Sequence, residues 1–145
     1  MIKLFKKICI ASDHAGLELK DKIKDYLIKK SIPITDLGPF TQDSVDYPDY
    51  AKKVAKRLML GKSDAGILVC GSGTGMAITA NKFKGIRAAQ CYNKSSTTLS
   101  RQHNNSNIIC LGSRMLKYKD AFKYVMYFLN TRFEGGRHQK RINKI

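Results

Sequence analysis

Residues 65–75 read AGILVCGSGTG. The first five are apolar and include β-branched side chains, which is typical of a short buried strand. Three glycines then alternate with Ser72 and Thr74, and the segment 74–82, TGMAITANK, resembles a helix. The stretch therefore predicts a strand, a tight turn and a helix, with Cys70 at the carboxyl end of the strand.

Cys70 falls where open parallel sheets bind their ligands, because glycine-rich turns there direct backbone N–H groups at an anion. A helix N-terminus or a nearby cation favours the thiolate of such a cysteine. The stretch alone leaves two interpretations open. Cys70 is either a base or nucleophile, or a small apolar residue that completes a core strand.

Strand and helix patterns alternate along the chain. Short apolar runs predict strands at 7–12, 32–37, 65–70, 85–91 and 107–111. Amphipathic or helix-like segments follow them at 17–30, 48–61, 74–82, 95–102, with Ser95 as N-cap, and 122–133. Strict alternation of this kind predicts an α/β fold in which helices cover both faces of a parallel sheet.

The chain has 145 residues, which is the size of one domain, and we expect a single domain over 1–145. Its four cysteines are far apart and form no CxxC pair, which is typical of reduced, cytoplasmic proteins. The basic N-terminal segment has too short an apolar run for a signal peptide, and no apolar segment reaches membrane length.

The net charge of +16 raises the possibility of nucleic-acid binding. However, no Asp or Glu occurs from Ala65 to Lys119, the block that contains the glycine turn, and this local bias suits a small anionic ligand. The lysines before it alternate with acids, as on solvated helix faces. No RNP-type motif, helix-turn-helix pattern or basic tail supports a polynucleotide partner, so we expect no specific nucleic acid.

In a parallel sheet the strand ends collect at one edge, which predicts a shared cleft. We expect it to contain the side chains that follow the strands: Asp13, His14, Asp46, Tyr47, Cys70 with its glycine turn and, less directly, His103, Asn104 and Arg114.

Several chemistries fit this cleft poorly. A dinucleotide fingerprint needs a third glycine where Met76 stands and an acid about 20 residues later, and no Walker A lysine is present. A cysteine–histidine nucleophile needs an acyl-type substrate, which nothing indicates. The three histidines are widely spaced and lack clustered acids, so we expect no metal.

Proton transfer on a small phosphorylated substrate fits more of the residues. Cys70 would be the base, Ser72 and the N–H groups of the turn would hold an oxyanion, and arginines would hold a phosphate. His103 would be a second acid or base. Each also has a structural interpretation: His103 at a helix end, Asp13 and His14 in a cap, Arg137 and Arg141 on a solvated basic face.

Taken together, the motifs resemble one family along nearly the whole chain. They are SDHAG at 12–16, DYP at 46–48, CGSGTG at 70–75, NK at 81–82, RQHN at 101–104, GSR at 112–114, and GGRH at 135–138 with Arg141. This combination resembles the type B ribose-5-phosphate isomerases and the related galactose-6-phosphate isomerase subunits.

The resemblance implies a Rossmann-like three-layer αβα sandwich with a parallel five-stranded sheet, a homodimer, with a tetramer as the alternative, and an isomerisation without a cofactor. It implies that Cys70 moves a proton between C2 and C1 through an enediolate, that Ser72 assists, and that His103 opens the furanose ring. Sugar and phosphate contacts are implied for Asp13, His14, Tyr47, Gly71, Gly73, Thr74, Gly75, Asn104, Arg114, Arg137 and Arg141. The pocket would be shared between two subunits, with residues 134–145 contributing to it.

One branch of this family uses a glutamate just after the glycine turn. Met76 occupies that position here, so the chain resembles the cysteine branch. The expected reaction is interconversion of D-ribose 5-phosphate and D-ribulose 5-phosphate in the pentose phosphate pathway. Isomerisation of a six-carbon substrate such as galactose 6-phosphate or allose 6-phosphate remains the alternative within the enzyme class.

Overall fold

A computed structural model describes residues 4–145, so the first three residues of the predicted domain lie outside the described part. Strands and helices alternate from residue 8 to residue 130, and a short helix follows. The elements are β1 (Ile8–Ser12), α1 (Leu17–Lys29), β2 (Ile34–Asp36), α2 (Tyr47–Met59), β3 (Ala65–Cys70), α3 (Thr74–Ala80), β4 (Ala88–Gln90), α4 (Lys94–Asn104), β5 (Ile108–Gly112), α5 (Tyr118–Asn130) and α6 (Arg137–Ile142).

The five strands form one parallel sheet in the order β2-β1-β3-β5-β4. The opening stretch supplies the central strand, with Gly66 paired to Ile108 at one end of β3 and Cys70 paired to Gly112 at the other. All six residues of β3 are buried, because strands pair on both of its sides and helices cover both of its faces. The predicted α/β class is confirmed.

Two apolar clusters show the three layers. On one face, α1 and α5 pack against the sheet through residues such as Ile23 and Phe128, and α4 lies beside α5. On the other face, α2 and α3 contribute Val54 and Met76 to a second cluster. Both faces are therefore covered, and the expected three-layer αβα sandwich is confirmed.

The strand β4 is shorter than the predicted run 85–91, and asparagine side chains bond to backbone groups at its start. Asn81 Nδ2 donates to the carbonyl of Ala88 (2.9 Å), and Asn81 Oδ1 accepts from its N–H (2.7 Å). Asn107 Oδ1 likewise accepts from the N–H of Arg87 (2.9 Å). Asn107 thus takes the N–H of the residue that precedes β4, whereas Asn81 bonds to Ala88, the first residue of the strand.

Helix α4 also begins differently from the prediction. Its N-cap is Asn93, not Ser95: Asn93 Oδ1 accepts from the N–H of Ser96 (2.7 Å), and Ser96 Oγ accepts from the N–H of Asn93 (3.2 Å). This reciprocal capping box satisfies two N–H groups, which Ser95 alone cannot do.

We call the end of the sheet near Cys70 and Gly112 the carboxyl edge and the opposite end the amino edge. Each helix that follows a strand runs back across the sheet, so its last turn lies at the amino edge. Helix α4 has 11 residues, which at about 1.5 Å per residue separates its two ends by roughly 16 Å. Within residues 4–145, no helix has the length and apolar character needed to cross a membrane.

Candidate active site

Cys70 lies at the carboxyl edge with its sulfur held by the turn that follows it. The thiol is 5% exposed, and the N–H of Gly73 donates to Cys70 Sγ over 3.1 Å. An N–H group fixed by the backbone places a partial positive charge beside the sulfur, where it favours negative charge. Cys70 is therefore both a core residue and part of the lining of a pocket at the carboxyl edge.

Two glycines of the turn are required by its shape. Gly73 has a φ of 81° and lies against the backbone of Leu111 and Gly112, so a side chain there is strained as well as crowded. A β-carbon at Gly75 overlaps the ring of Tyr47, the first residue of α2. The missing side chain at Gly75 thus brings the tyrosine ring against the turn.

The hydroxyl of Ser72 is available to a ligand as a donor. Its oxygen accepts from the N–H of Thr74 (3.2 Å), which leaves the O–H proton free to point elsewhere. Gln90, at the end of β4, donates from Nε2 to the carbonyl of Ser72 (2.9 Å) and to Thr74 Oγ1 (2.8 Å). Sequence reasoning missed Gln90, because an amide at a strand end has no distinguishing pattern.

Arg114 reaches the same turn from the neighbouring strand. After β5, the N–H of Ser113 donates to the carbonyl of Cys70 (2.8 Å), and that of Arg114 donates to the carbonyl of Gly71 (3.0 Å). The Arg114 guanidinium consequently lies against Gly71. A pocket of about 360 Å³ results, lined by Asp13, Tyr47, Cys70, Gly71, Ser72, Gly75, Arg114 and Met115.

The segment after β1 borders this pocket. Asp13 is 7% exposed, and its Oδ1 accepts from the N–H of Gly16 (2.9 Å) at the start of α1. His14 lines an adjacent pocket, with Nδ1 lying 3.1 Å from both the N–H and the carbonyl of Val45. The neutral ring protonated on Nε2 accepts the Val45 N–H, whereas the imidazolium donates to the carbonyl.

The other predicted site residues lie at the opposite edge. His103 and Asn104 end α4, and Arg87 at the start of β4 donates to the Asn104 carbonyl from Nε (3.0 Å). Arg137 and Arg141 lie on α6, which packs on α4. The expectation of one shared edge is thus wrong for His103 and Asn104, since a full helix separates them from the carboxyl edge.

His103 is stacked on His138, the buried residue of α6. The ring centroids are 4.2 Å apart and the planes differ by 13°. Glu134 Oε2 lies 3.4 Å from His138 Nε2 and 4.0 Å from His103 Nε2. Burial, followed by the charges of His103 and Arg137, lowers the pKa of His138, and Glu134 opposes this shift.

His103, Glu134 and His138 also place one potential metal ligand each within 4.8 Å of one another. The wide spacing of the histidines in the sequence did not predict this group. The two rings are nearly parallel, so their in-plane lone pairs point along parallel planes and do not converge on one cation. Metal binding here requires one imidazole to rotate.

The remaining cysteines are kept as thiols by burial. Burial raises the pKa of Cys9 to about 11, raises that of Cys91 and raises that of Cys110 strongly, so all three remain thiols at neutral pH. All four cysteines are free. Met76 is fully buried in the core, so the position after the turn carries no proton acceptor.

Comparison with known proteins places the chain among sugar phosphate isomerases by sequence. The sequence model of the ribose/galactose isomerase family matches residues 8–145. The ribose-5-phosphate isomerase B of Escherichia coli is 43% identical over 140 residues, which cover 97% of this chain and 94% of that protein. A putative sugar phosphate isomerase of Rickettsia bellii is 47% identical over 138 residues, covering 95% and 96% of the two chains.

Solved structures show the same fold. A ribose 5-phosphate isomerase of Thermotoga maritima superposes with a TM-score of 0.93 at 51% identity, covering 95% of each chain. The ribose-5-phosphate isomerase B of Mycoplasma genitalium, solved with bound ribulose-5-phosphate, gives a TM-score of 0.90 at 46% identity over 95% of this chain and 92% of that one. The chain belongs to the ribose/galactose isomerase family.

Proposed function

We propose that this chain interconverts D-ribose 5-phosphate and D-ribulose 5-phosphate, with Cys70 as the base. The observation that carries the proposal is the contact between Cys70 Sγ and the Gly73 N–H (3.1 Å) at the base of the pocket at the carboxyl edge. It is supported by relatives named as ribose-5-phosphate isomerases, one of them solved with bound ribulose-5-phosphate.

In the proposed reaction the Cys70 thiolate removes the proton from C2 of the open-chain aldose. The C2–H electron pair forms the C1=C2 double bond, and the carbonyl electrons move to O1. The Ser72 hydroxyl and the Gly75 N–H, which has no carbonyl partner within α3, are placed to stabilise the resulting enediolate. Return of the proton to C1, with transfer of the O2 proton to O1, forms the C2=O and C1–OH groups of the ketose, so no net oxidation occurs.

The proposal extends to a site built from two copies of the chain. Cys70 and Arg114 lie at the carboxyl edge, whereas His103, Arg137 and Arg141 lie at the amino edge, too far away to contact one small sugar in the same chain. Exposed apolar side chains beside both groups, Met115 near Arg114 and Leu99 on α4, offer surface for subunit packing. A second copy that faces its amino edge toward Cys70 completes the site.

Within this two-copy site we assign ring opening to His103 and phosphate binding to the arginines. Arginine binds phosphate with paired N–H donors, and α6 presents Arg137 and Arg141 one helical turn apart. Tyr47, Asp13, His14 and Asn104 remain proposed contacts to the sugar.

The experiment is a comparison of kcat/KM for ribose 5-phosphate with that for galactose 6-phosphate and allose 6-phosphate. We expect the five-carbon substrate to be preferred by at least tenfold, roughly the effect of one extra carbon unit on a closed pocket. A higher kcat/KM for one of the six-carbon sugars would mean that this sugar, and not ribose 5-phosphate, is the substrate. No activity on any of the three would overturn the proposed function.

A further inference from the structure

The amino edge contains a polar cluster that the proposed proton transfer at Cys70 does not use. His103 and His138 are stacked, and Glu134 lies close to both. His138 Nε2 is buried without a hydrogen-bond partner in residues 4–145, since the carboxylate at 3.4 Å is poorly aligned with it. A buried imidazole nitrogen beside a carboxylate indicates a functional arrangement more than a packing one.

The chain builds this cluster from one turn. The N–H of Glu134 donates to the carbonyl of Gln102 (3.0 Å), which fixes the carboxylate beside the end of α4. Gly135 and Gly136 then adopt positive φ values of 68° and 55°, and the chain reverses into α6. Because of this reversal, the His138 ring stacks on the face of the His103 ring.

The charges around the cluster are asymmetric. Arg137 and Arg141 stand on the same short helix as His138 and lower its pKa, whereas Glu134 raises it. Glu134 and Asp120 are the only acids after residue 64, and Asp120 lies in the first turn of α5, at the carboxyl edge. Within residues 4–145, Glu134 is the only carboxylate within 4.0 Å of His103 Nε2.

We propose that Glu134 and His138 are positioning residues for His103, and the inference rests on the proposed function. The stacked His138 ring fixes the plane of the His103 imidazole. The Glu134 carboxylate, 4.0 Å from His103 Nε2, stabilises the protonated ring that donates to the sugar.

In the step that they support, the C1–O4 bond of the furanose breaks and its electron pair remains on O4. O4 takes the proton from His103, the anomeric hydroxyl gives its proton to water, and C1=O forms. Neither Glu134 nor His138 needs to touch the sugar.

The experiment uses a difference between the two substrates. Ribose 5-phosphate is a furanose and must be opened, whereas ribulose 5-phosphate carries its phosphate on the hydroxyl that would close a five-membered ring, so it stays open. Solvent deuterium exchange at C1 of ribulose 5-phosphate, followed by NMR, therefore reports proton transfer at Cys70 without ring opening.

We expect Glu134→Gln to lower kcat for ribose 5-phosphate by about tenfold, as expected when an acid catalyst loses its orienting carboxylate. The C1 exchange of ribulose 5-phosphate should stay within about twofold of wild type, because the Cys70 region is unchanged. Glu134→Asp should recover part of the loss. Gln139→Ala, an exposed substitution on α6, is the control and should leave both rates unchanged.

A second pair of variants tests the stacking. His138→Phe keeps an aromatic ring over His103 and should retain more ribose 5-phosphate activity than His138→Ala. Equal loss of both reactions in Glu134→Gln, or no loss in either, would overturn the positioning role while the isomerase activity of the wild type stands. A wild-type protein that catalyses neither reaction would overturn the proposed function and this inference together.

Discussion

The groups at the two edges of the sheet are held in different ways. Around Cys70, backbone hydrogen bonds fix the geometry, since the turns after β3 and β5 bond to each other and to the sulfur. Around His103, one side chain stacks on another, and a short turn with two glycines sets their relation. The comparison indicates that the proposed proton-transfer group, Cys70, is fixed by the backbone, whereas the proposed ring-opening group, His103, depends on neighbouring side chains.

Each edge also has its own buried cation. At the carboxyl edge, Lys20 is fully buried and donates to both Asp36 oxygens (2.8 and 2.9 Å) and to the Pro39 carbonyl (2.8 Å). At the amino edge, Arg101 donates to oxygens of Thr131 (3.1 Å) and Asn105 (3.0 Å) and lies on aromatic rings. Burial lowers the pKa of Arg101 to about 10, so it stays charged at neutral pH. In residues 4–145, a carboxylate lies within 4 Å of Lys20 but not of the Arg101 guanidinium.

The largest expected effect is on the Cys70 side. Cys70→Ala should lower kcat for ribose 5-phosphate by at least about a hundredfold, the contribution of a general base. Cys110→Ala, a buried substitution in the next strand, should lower stability and leave kcat within about twofold of wild type. Steady-state rates and thermal unfolding distinguish the two, and near-normal turnover of Cys70→Ala would remove Cys70 from the mechanism.

A dimer of one chain mutated at the carboxyl edge and one chain mutated at the amino edge should recover activity. In a mixed dimer of Cys70→Ala and His103→Ala chains, one of the two shared sites keeps both residues, so about half of the wild-type kcat is expected. The mixed species is obtained by coexpression with two different affinity tags. No recovery would mean that the two edges do not meet between subunits.

The arginines should separate binding from chemistry. Arg114→Met and Arg137→Met each remove a charged donor from the proposed phosphate site, and KM should rise by about tenfold or more while kcat changes less. Lys140→Met, an exposed substitution on α6, is the control. An unchanged KM in one of the arginine variants would assign the phosphate to the other edge.

The smallest effect on catalysis is expected at the buried ion pair. Asp36→Asn leaves the buried Lys20 with only the half-exposed Asp21 carboxylate, 3.3 Å away, and should cost about 3 kcal/mol of unfolding free energy. Asp21→Asn, whose carboxylate is half exposed, should cost less than about 1 kcal/mol. Urea unfolding measures both, and an equal cost would mean that the Lys20–Asp36 contact is not special.

The same pair predicts sensitivity to acid. Burial alone raises the pKa of Asp36, but hydrogen bonds from Lys20, the Gly38 N–H and Lys24 outweigh it and lower the pKa below its ordinary value of 3.8. The stabilisation is therefore complete above that value and is lost as the pH falls through the lowered pKa. In Asp36→Asn this loss between neutral and acidic pH should be smaller than in wild type.

Most of the fold was predictable because its signals are local. The apolar run at 65–69, the glycines after Cys70 and the regular alternation of elements indicate a parallel sheet from the sequence alone. The edge strands were harder, since Asn81 and Asn107 take backbone groups of Arg87 and Ala88 through contacts distant in sequence.

The candidate site was predictable only in part for the same reason. Residues directly after strands, such as Cys70 and Arg114, were placed at the carboxyl edge from strand ends alone. His103 was misplaced because a strand-end rule says nothing about a residue that ends a helix. The stack of His103 on His138 depends on how α6 folds back after Gly135 and Gly136, and no spacing in the sequence encodes that path.

The separation of Cys70 and His103 by the length of α4 has a kinetic consequence. For an enzyme whose site lies within one chain, the rate per chain is independent of the protein concentration. If each site here needs two chains, dilution below the dissociation constant of the dimer separates the subunits. Every chain then loses activity although it stays folded. Specific activity should then rise with enzyme concentration, and the curve reports the affinity of the subunits for each other.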